Sequence, residues 1–170
     1  MSRVSASRQY ISYYDIIGSC MKVATEDYRA LAALRYRIRL FLSEGDEAAR
    51  RGGLEPQQYQ LLLALRGLPE DAEATIYTLA DRLSLKHNST VELIDRMEKR
   101  KFVHRTRSRD DARCVLVSLL PRGEEAVQEV ARQRITELRA GGTALVDALE
   151  MLLKRTPESR RKKKTRGVTI

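Results

Sequence analysis

A short polar run in the middle of the chain carries side chains suited to reading a nucleic acid. Asn88 can pair bidentately with adenine, and Arg96, two turns along a predicted helix, can pair in the same way with guanine. The first turn of such a helix also attracts phosphate through its free backbone N–H groups. We therefore expect this helix to enter the major groove of duplex DNA. Its predicted DNA contacts are Lys86, His87, Asn88, Ser89, Thr90, Glu92 and Arg96.

A second basic cluster lies just after this helix, in a segment that is predicted to be a hairpin. Arg107 and Arg109 stand near the tip of that hairpin, where an extended arginine can lie in a narrow minor groove. Residues 86–113 contain nine Lys or Arg and five Asp or Glu, a local excess of +4. This charge is modest, but it lies where the two predicted contacts are.

The elements that must position these residues follow from apolar periodicity. An apolar stripe predicts a short helix over residues 75–83, a turn over 84–87 and a second helix over 88–100. Ser89 and Glu92 match a Ser-x-x-Glu capping box, which predicts that the second helix begins beside Ser89. Two such helices form a helix-turn-helix, in which the first braces the second in the major groove. His87 either contacts DNA or only fills the turn.

The period of the pattern changes from about 3.6 to 2 after Phe102. Residues 103–107 and 115–119 alternate as two short strands around a polar, basic turn. Helical spacing marks the flanking segments, over 26–43 and from Pro56 to Arg66 upstream and from Pro121 onward, with an interruption at Gly141 and Gly142. We therefore predict a mainly α fold with a small β-hairpin, a winged helix-turn-helix with N- and C-terminal dimerisation helices.

Composition narrows the class of protein. The formal net charge is +9, but eight basic residues and one acidic residue from Lys154 onward supply +7 of it. The rest of the chain carries only +2, so a global basic field is not the reason to expect DNA binding. No apolar run approaches the ~20 residues that span a bilayer, and the N-terminus lacks the apolar core of a signal peptide. We expect a cytoplasmic protein without a membrane partner.

Catalytic and metal chemistry find no support in the pattern. The chain has no Gly-rich phosphate loop and no nucleophile elbow, so we expect no enzyme activity and no cofactor. Its two cysteines, Cys20 and Cys114, and two histidines have no metal-ligand spacing. Cys20 lies among tyrosines, which raises the alternative of a peroxide sensor, but an unreactive, buried thiol is the simpler interpretation for both cysteines.

Residues 54–127 resemble the MarR family of winged-helix regulators. The match covers LEPQQYQLLLALRG and then LADRLSLKHNSTVELIDRMEKRKFVHRTRSRDDARCVLVSLLPRGEEAV. The pattern as a whole is strong, although each piece alone is weak. The sequence departs from the usual pattern at Ser84 and Lys101, where glycine is frequent. A left-handed backbone at Lys101 would be strained.

The resemblance implies a homodimer whose terminal helices interlock, and double-stranded DNA as a partner, as an inverted repeat. It implies a repressor that releases DNA when a small phenolic or aromatic ligand binds. It also implies that Asp111 braces the wing by pairing with an arginine, although Asp111 also fits a plain turn former. Arg113 then binds a phosphate or pairs with Asp111. Tyr28, Tyr36 and Tyr59 either line a ligand pocket or belong to the core.

These patterns divide the chain into three parts. Residues 1–24 are an N-terminal extension, 25–153 a MarR-type domain, and 154–170 a basic tail that we expect to be disordered. Within the domain, the winged core spans about 54–120, and the dimerisation helices span about 26–50 and 121–153. Two alternatives remain open: a nonspecific, architectural DNA binder that uses the tail, and a winged helix that binds only protein.

Overall fold

Six helices and one β-hairpin make up residues 23–108 and 114–154, the part of the chain that the structure, a computed structural model, describes. This confirms the predicted fold class, mainly α with a small hairpin. In chain order the elements are α1 (Thr25–Arg51), α2 (Pro56–Arg66), α3 (Ile76–Leu83), α4 (His87–Lys99), β1 (Val103–Arg107), β2 (Val115–Leu119), α5 (Pro121–Gly141) and α6 (Thr143–Leu153).

The first helix is longer than its apolar stripe. The stripe ends near residue 43, but α1 continues to Arg51. Ala48 and Ala49 are fully buried in this last part, so two small side chains hold a mostly polar segment against the core. The end of α1 lies close to α5, because a Cβ added at Gly52, the C-cap of α1, would lie 2.5 Å from Val130 Cγ2.

One hydrophobic core lies beneath the helix-turn-helix and the hairpin. Every element except α6 contributes to it. Removing a side chain of leucine size from water contributes about 1.5–3 kcal/mol, so this core fixes how the reading helix is presented. Its most deeply buried members are Leu54, Leu61, Leu62, Leu79, Leu93, Ile94, Met97, Val103 and Val130.

The hairpin is antiparallel and joins a third segment that the alternating pattern did not indicate. Val103 pairs with Leu119 at one end, and Arg107 pairs with Val115 at the other. The backbone N–H of Val117 donates to the carbonyl of Ala74 at 2.9 Å, and Thr75 forms an isolated bridge with Leu116. The hairpin is therefore tied to the start of the helix-turn-helix as well as to its end.

The last helix packs against the first, and both leave apolar side chains in contact with solvent. Val146, Leu149 and Leu153 recur at spacings of three and four on the outer face of α6, and each is at least 44% exposed. Leu31 and Ile38 are likewise exposed on α1. In the described ranges, no helix is long and apolar enough to cross a membrane.

Candidate nucleic-acid interface

The N-terminal end of α4 presents a row of exposed polar groups. Lys86, His87, Asn88 and Ser89 are all exposed. Backbone N–H groups of this first helical turn lack partners within the helix, so the same end can accept a phosphate. Further along the helix, Glu92 and Arg96 are also exposed. The structure therefore brings six of the seven predicted helix residues to one accessible end and face.

Thr90 is the exception. Its side chain is fully buried, and its hydroxyl donates to the carbonyl of Lys86 at 3.1 Å. A group that is enclosed by the core and already hydrogen-bonded has no route to a base edge in this conformation, so Thr90 is not among the contacts proposed below. The residue lies on the inner side of α4, where the helical period places it with Leu93, Ile94 and Met97.

The helix also begins earlier than the capping pattern predicts. Lys86 is the N-cap of α4 and makes no side-chain capping hydrogen bond. Ser89 therefore lies inside the first turn, and the expected Ser89–Glu92 capping box does not form. Its hydroxyl is consequently not committed to the cap, which leaves it available to an outside partner.

The turn between α3 and α4 sets the angle of the reading helix. Thr75 caps α3, since its hydroxyl accepts from the backbone N–H of Thr78 at 3.0 Å. Ser84 ends α3 in the left-handed region, with φ 52°, where glycine would be free of strain. Lys101 follows the C-cap of α4 and lies in the same region, with φ 59°, the strained conformation expected where glycine is frequent in the family pattern. Each costs roughly 1–2 kcal/mol, which the surrounding core must offset.

One of the arginines predicted to lie near the hairpin tip is exposed. Arg107 is exposed at the end of β1, and the backbone N–H of Ser108 donates to the carbonyl of Cys114 at 2.9 Å. Cys114 itself is half-buried. The remaining predicted wing residues, Arg109, Asp111 and Arg113, lie outside the described residues, as do Cys20, the N-terminal extension up to residue 22 and the tail from residue 155.

Arg105 is a residue that pattern reasoning missed. It lies on β1, but its guanidinium reaches α4, donating to Asp95 Oδ1 at 2.5 Å and to the carbonyl of Val91 at 3.1 Å. Its backbone N–H donates to Glu98 Oε1 at 2.9 Å. The available signal was the acidic pair Asp95 and Glu98, one turn apart on α4, followed shortly by a basic strand residue.

Phe102 forms a second junction, between α4 and α5. Two guanidinium groups approach its ring, Arg100 at 4.7 Å and Arg122 at 4.8 Å from the ring centre. Arg122 donates to the carbonyl of Arg100 at 3.0 Å, and Arg100 donates to Gln58 Oε1 at 2.7 Å. The helix that precedes the wing is thus attached both to α2 and to the long helix α5.

An apolar cavity of about 310 Å³ lies between α1, α2 and α5. Tyr59 is buried at its wall, and this burial raises the pKa of the hydroxyl above its usual 10.0, an effect that the charge of Arg134 partly opposes. Tyr28 and Tyr36 do not reach the cavity and are exposed on α1. Of the three tyrosines considered as pocket or core residues, only Tyr59 is buried. The other lining residues include Phe41, Leu42, Leu63, Ala131, Ile135 and Leu138.

Arg134 is a buried cation at the edge of this cavity. It donates to Glu137 Oε2 at 2.7 Å and to the carbonyl of Phe41 at 3.3 Å, and it lies 3.5 Å from Glu44 Oε2. The Arg134 hydrogen bond is the main reason that the pKa of Glu137 lies below its usual range. Because its partners lie on both α1 and α5, Arg134 joins the two helices that enclose the cavity.

Comparison with known proteins places this arrangement in a family. Residues 52–113 match the model of the MarR family. The chain is 34% identical over 107 residues to YsmB, an uncharacterised HTH-type transcriptional regulator of Bacillus subtilis (strain 168), covering 63% of this chain and 71% of that protein.

Solved structures show the same fold. AbsC, a MarR family transcriptional regulator from Streptomyces coelicolor, superposes with a TM-score of 0.63 at 20% identity, covering 82% of this chain and 88% of that one. A MarR family protein from Bacillus stearothermophilus gives a TM-score of 0.60 at 24% identity, covering 83% and 100%. This chain, with its helix-turn-helix, hairpin and terminal helices, belongs to the MarR family of DNA-binding, winged-helix transcriptional regulators.

Proposed function

We propose that this regulator reads a specific DNA sequence through α4 and a neighbouring minor groove through the wing, here defined as the hairpin of residues 103–119. The observation that carries the proposal is the exposure of six polar or charged side chains on α4 and at its N-terminal end. The opposite face of the same helix is buried in the core. The major groove, about 12 Å wide, accepts one such helix. The proposed contacts on α4 are Lys86, His87, Asn88, Ser89, Glu92 and Arg96.

The wing residues complete the proposed interface. Arg107 and Arg109 enter the minor groove, and Arg113 binds a phosphate or pairs with Asp111, which braces the loop. Two family structures contain DNA: Sco3205 from Streptomyces coelicolor in complex with DNA, and a mutant of MepR from S. aureus bound to an oligodeoxyribonucleotide. At 20% and 18% identity, these structures support the docking geometry only through the shared fold.

We further propose that the chain acts as a homodimer on an inverted repeat, with residues 25–153 as one MarR-type domain. The support is the exposed apolar stripe of α6 and the exposed leucine and isoleucine of α1. Solvent-exposed apolar stripes on two adjacent helices favour burial against a second copy. A two-fold-symmetric protein reads a two-fold-symmetric site, with half-sites about one helical turn apart.

The proposed mode of regulation is repression relieved by a small ligand. The cavity between α1, α2 and α5 has the size and apolar walls that suit a small phenolic or aromatic molecule. It lies between the terminal helices and α2, which packs directly on α3. A ligand that binds better to one arrangement of these helices shifts the spacing of the two reading helices and so the affinity for DNA.

Selection of bound sequences from a random duplex pool, at two salt concentrations, tests the proposal. We expect an inverted repeat with half-sites about 10 bp apart. Weak enrichment, with affinity that collapses as salt rises, would instead indicate nonspecific backbone binding. Absence of binding at both salt concentrations would favour a protein-interaction module.

The selected operator then tests the reading helix directly. Arg96→Ala is expected to cost about 1–3 kcal/mol of operator binding and to relax the preference at one base pair. Arg132→Ala is the matched control, because Arg132 is an exposed arginine of α5 that pairs with Glu129. Equal binding by Arg96→Ala and the wild type would contradict the proposed docking.

A further inference from the structure

We infer that Arg105 is a positioning residue that fixes the direction of the wing relative to α4. It thereby sets the distance, in base pairs, between the major-groove contacts of α4 and the minor-groove contact of the wing. The inference rests on the proposed mode of DNA binding, and it assigns the register of that binding to a residue whose guanidinium is held by α4.

The geometry is that of one side chain spanning two turns of a helix. Arg105 contacts the carbonyl of Val91, the carboxylate of Asp95 and, at 3.6 Å, the carboxylate of Glu98. These three lie at positions i, i+4 and i+7 of α4, which is one face of the helix. A planar guanidinium with several fixed donors can hold such a set of acceptors in one orientation, whereas the single ammonium of lysine cannot.

The Arg105 side chain is partly enclosed at this junction. The Arg105 side chain is 24% exposed, and its Nε is buried without a hydrogen-bond acceptor among residues 23–108 and 114–154. The carboxylates are more open, with Asp95 46% and Glu98 36% exposed. The position of Arg105 against α4 therefore rests on its three contacts together, which a fork of fixed donors makes at once.

Arg105 lies on β1 between the end of α4 and the exposed Arg107. Arg107 lies two residues further along β1, about 7 Å away at the rise of an extended strand. Arg105 lies between the covalent link to α4 and that exposed arginine, so it clamps β1 directly beside the reading helix. Releasing the clamp leaves the hairpin paired with itself and with Ala74, but frees its angle to α4.

The test uses two variants that change the charge in opposite directions. Arg105→Ala removes a positive charge from the junction, and Asp95→Asn removes a negative one while keeping the side-chain size. If the residues acted only through charge, DNA affinity would fall in the first variant and rise in the second. If they position the wing, both variants lose the same discrimination between operators. Thr106→Ala, at the exposed next position of β1, is the matched control.

The readout is the affinity of the full chain for the selected operator and for duplexes in which one base pair is inserted or deleted between the α4 half-site and the flanking minor groove. We expect the wild type and Thr106→Ala to bind the altered duplexes about tenfold more weakly, the usual cost of one mismatched contact. In Arg105→Ala and Asp95→Asn this ratio should fall to about threefold or less. Arg105→Lys should be intermediate.

Thermal unfolding of each variant separates this effect from simple destabilisation. A lower melting temperature with an unchanged tenfold ratio overturns the positioning role, and so does a ratio lost in Arg105→Ala but kept in Asp95→Asn. If Arg105→Ala does not fold, Asp95→Asn carries the test alone. Failure of the wild type to bind the operator at all would contradict the proposed function, and is thus distinguishable from failure of this inference.

Discussion

Thr90 and Ser89 are neighbours on α4 with opposite surroundings, and this contrast yields a prediction at the residue scale. Thr90→Val removes a buried hydroxyl, but the carbonyl of Lys86 still receives the backbone N–H of Thr90 at 3.0 Å. We therefore expect a stability change of less than about 1 kcal/mol and unchanged operator affinity.

Ser89→Ala, at an exposed position, should leave stability unchanged and weaken binding. Isothermal unfolding and operator titration of both variants measure this, and a Thr90→Val protein that folds but loses operator binding would return Thr90 to the interface.

Tyr59 gives a pH-dependent prediction. Burial raises the pKa of its hydroxyl in the folded chain, so the hydroxyl ionises first in the unfolded chain as pH rises past 10.0. Its contribution to stability is therefore complete below pH 10 and is lost as pH rises through the higher, folded pKa. Tyr59→Phe should reduce the alkaline loss of stability.

Chemical denaturation between about pH 7 and pH 11 measures the effect of Tyr59. Tyr77→Phe is the control, because it removes the same hydroxyl group from a tyrosine that is 78% exposed. Parallel stability curves for Tyr59→Phe and the wild type above pH 10 would show that the folded environment does not hold the hydroxyl neutral.

At the scale of the elements, the start of α5 depends on a close approach to the strand junction. A Cβ added at Gly123 would lie 2.1 Å from the carbonyl oxygen of Phe102, which is backbone and cannot move aside. The same carbonyl accepts from the backbone N–H of Leu120 at 3.0 Å. Gly123→Ala should therefore displace α5 and destabilise the fold by about 1–3 kcal/mol.

Gly141→Ala is the control for that prediction. Gly141 is the last residue of α5, and an added Cβ there meets nothing within 4 Å. Alanine in place of this helical glycine should stabilise the protein by up to about 1 kcal/mol. Thermal melts of the two variants should thus shift in opposite directions, and a shared direction would mean that the contact at Phe102 does not limit the packing.

For the whole molecule, the exposed stripe of α6 predicts a dimer whose loss leaves the single chain folded. Val146→Glu combined with Leu149→Glu places two charges on side chains that a single copy exposes, so helical content should be unchanged. Burial of these charges against a second copy would be costly, and the variant should be monomeric. Sedimentation equilibrium at micromolar concentration, with Asp147→Ala as control, measures this. A wild-type monomer, or a dimeric double variant, would refute the proposed interface.

The amino-acid sequence by itself determined the identity and order of the elements, because helical and strand periods are local properties of the chain. It also located the reading helix, whose outer residues are polar at the helical period. It did not determine that Ala48 and Ala49 hold the polar end of α1 against the core, since two alanines carry little pattern, nor that Thr90 faces the core, since threonine is common on both faces of a helix.

The tertiary structure alone decided which charged residues hold the elements together. Arg105 reaches α4 from a strand, Arg100 reaches Gln58 across 42 positions, and Arg134 reaches Phe41 across 93. These partners are brought together by packing of the apolar core, whose contacts join distant segments. Charge at such positions looks like an ordinary solvated surface in the sequence, because the burial that gives it a partner exists only after folding.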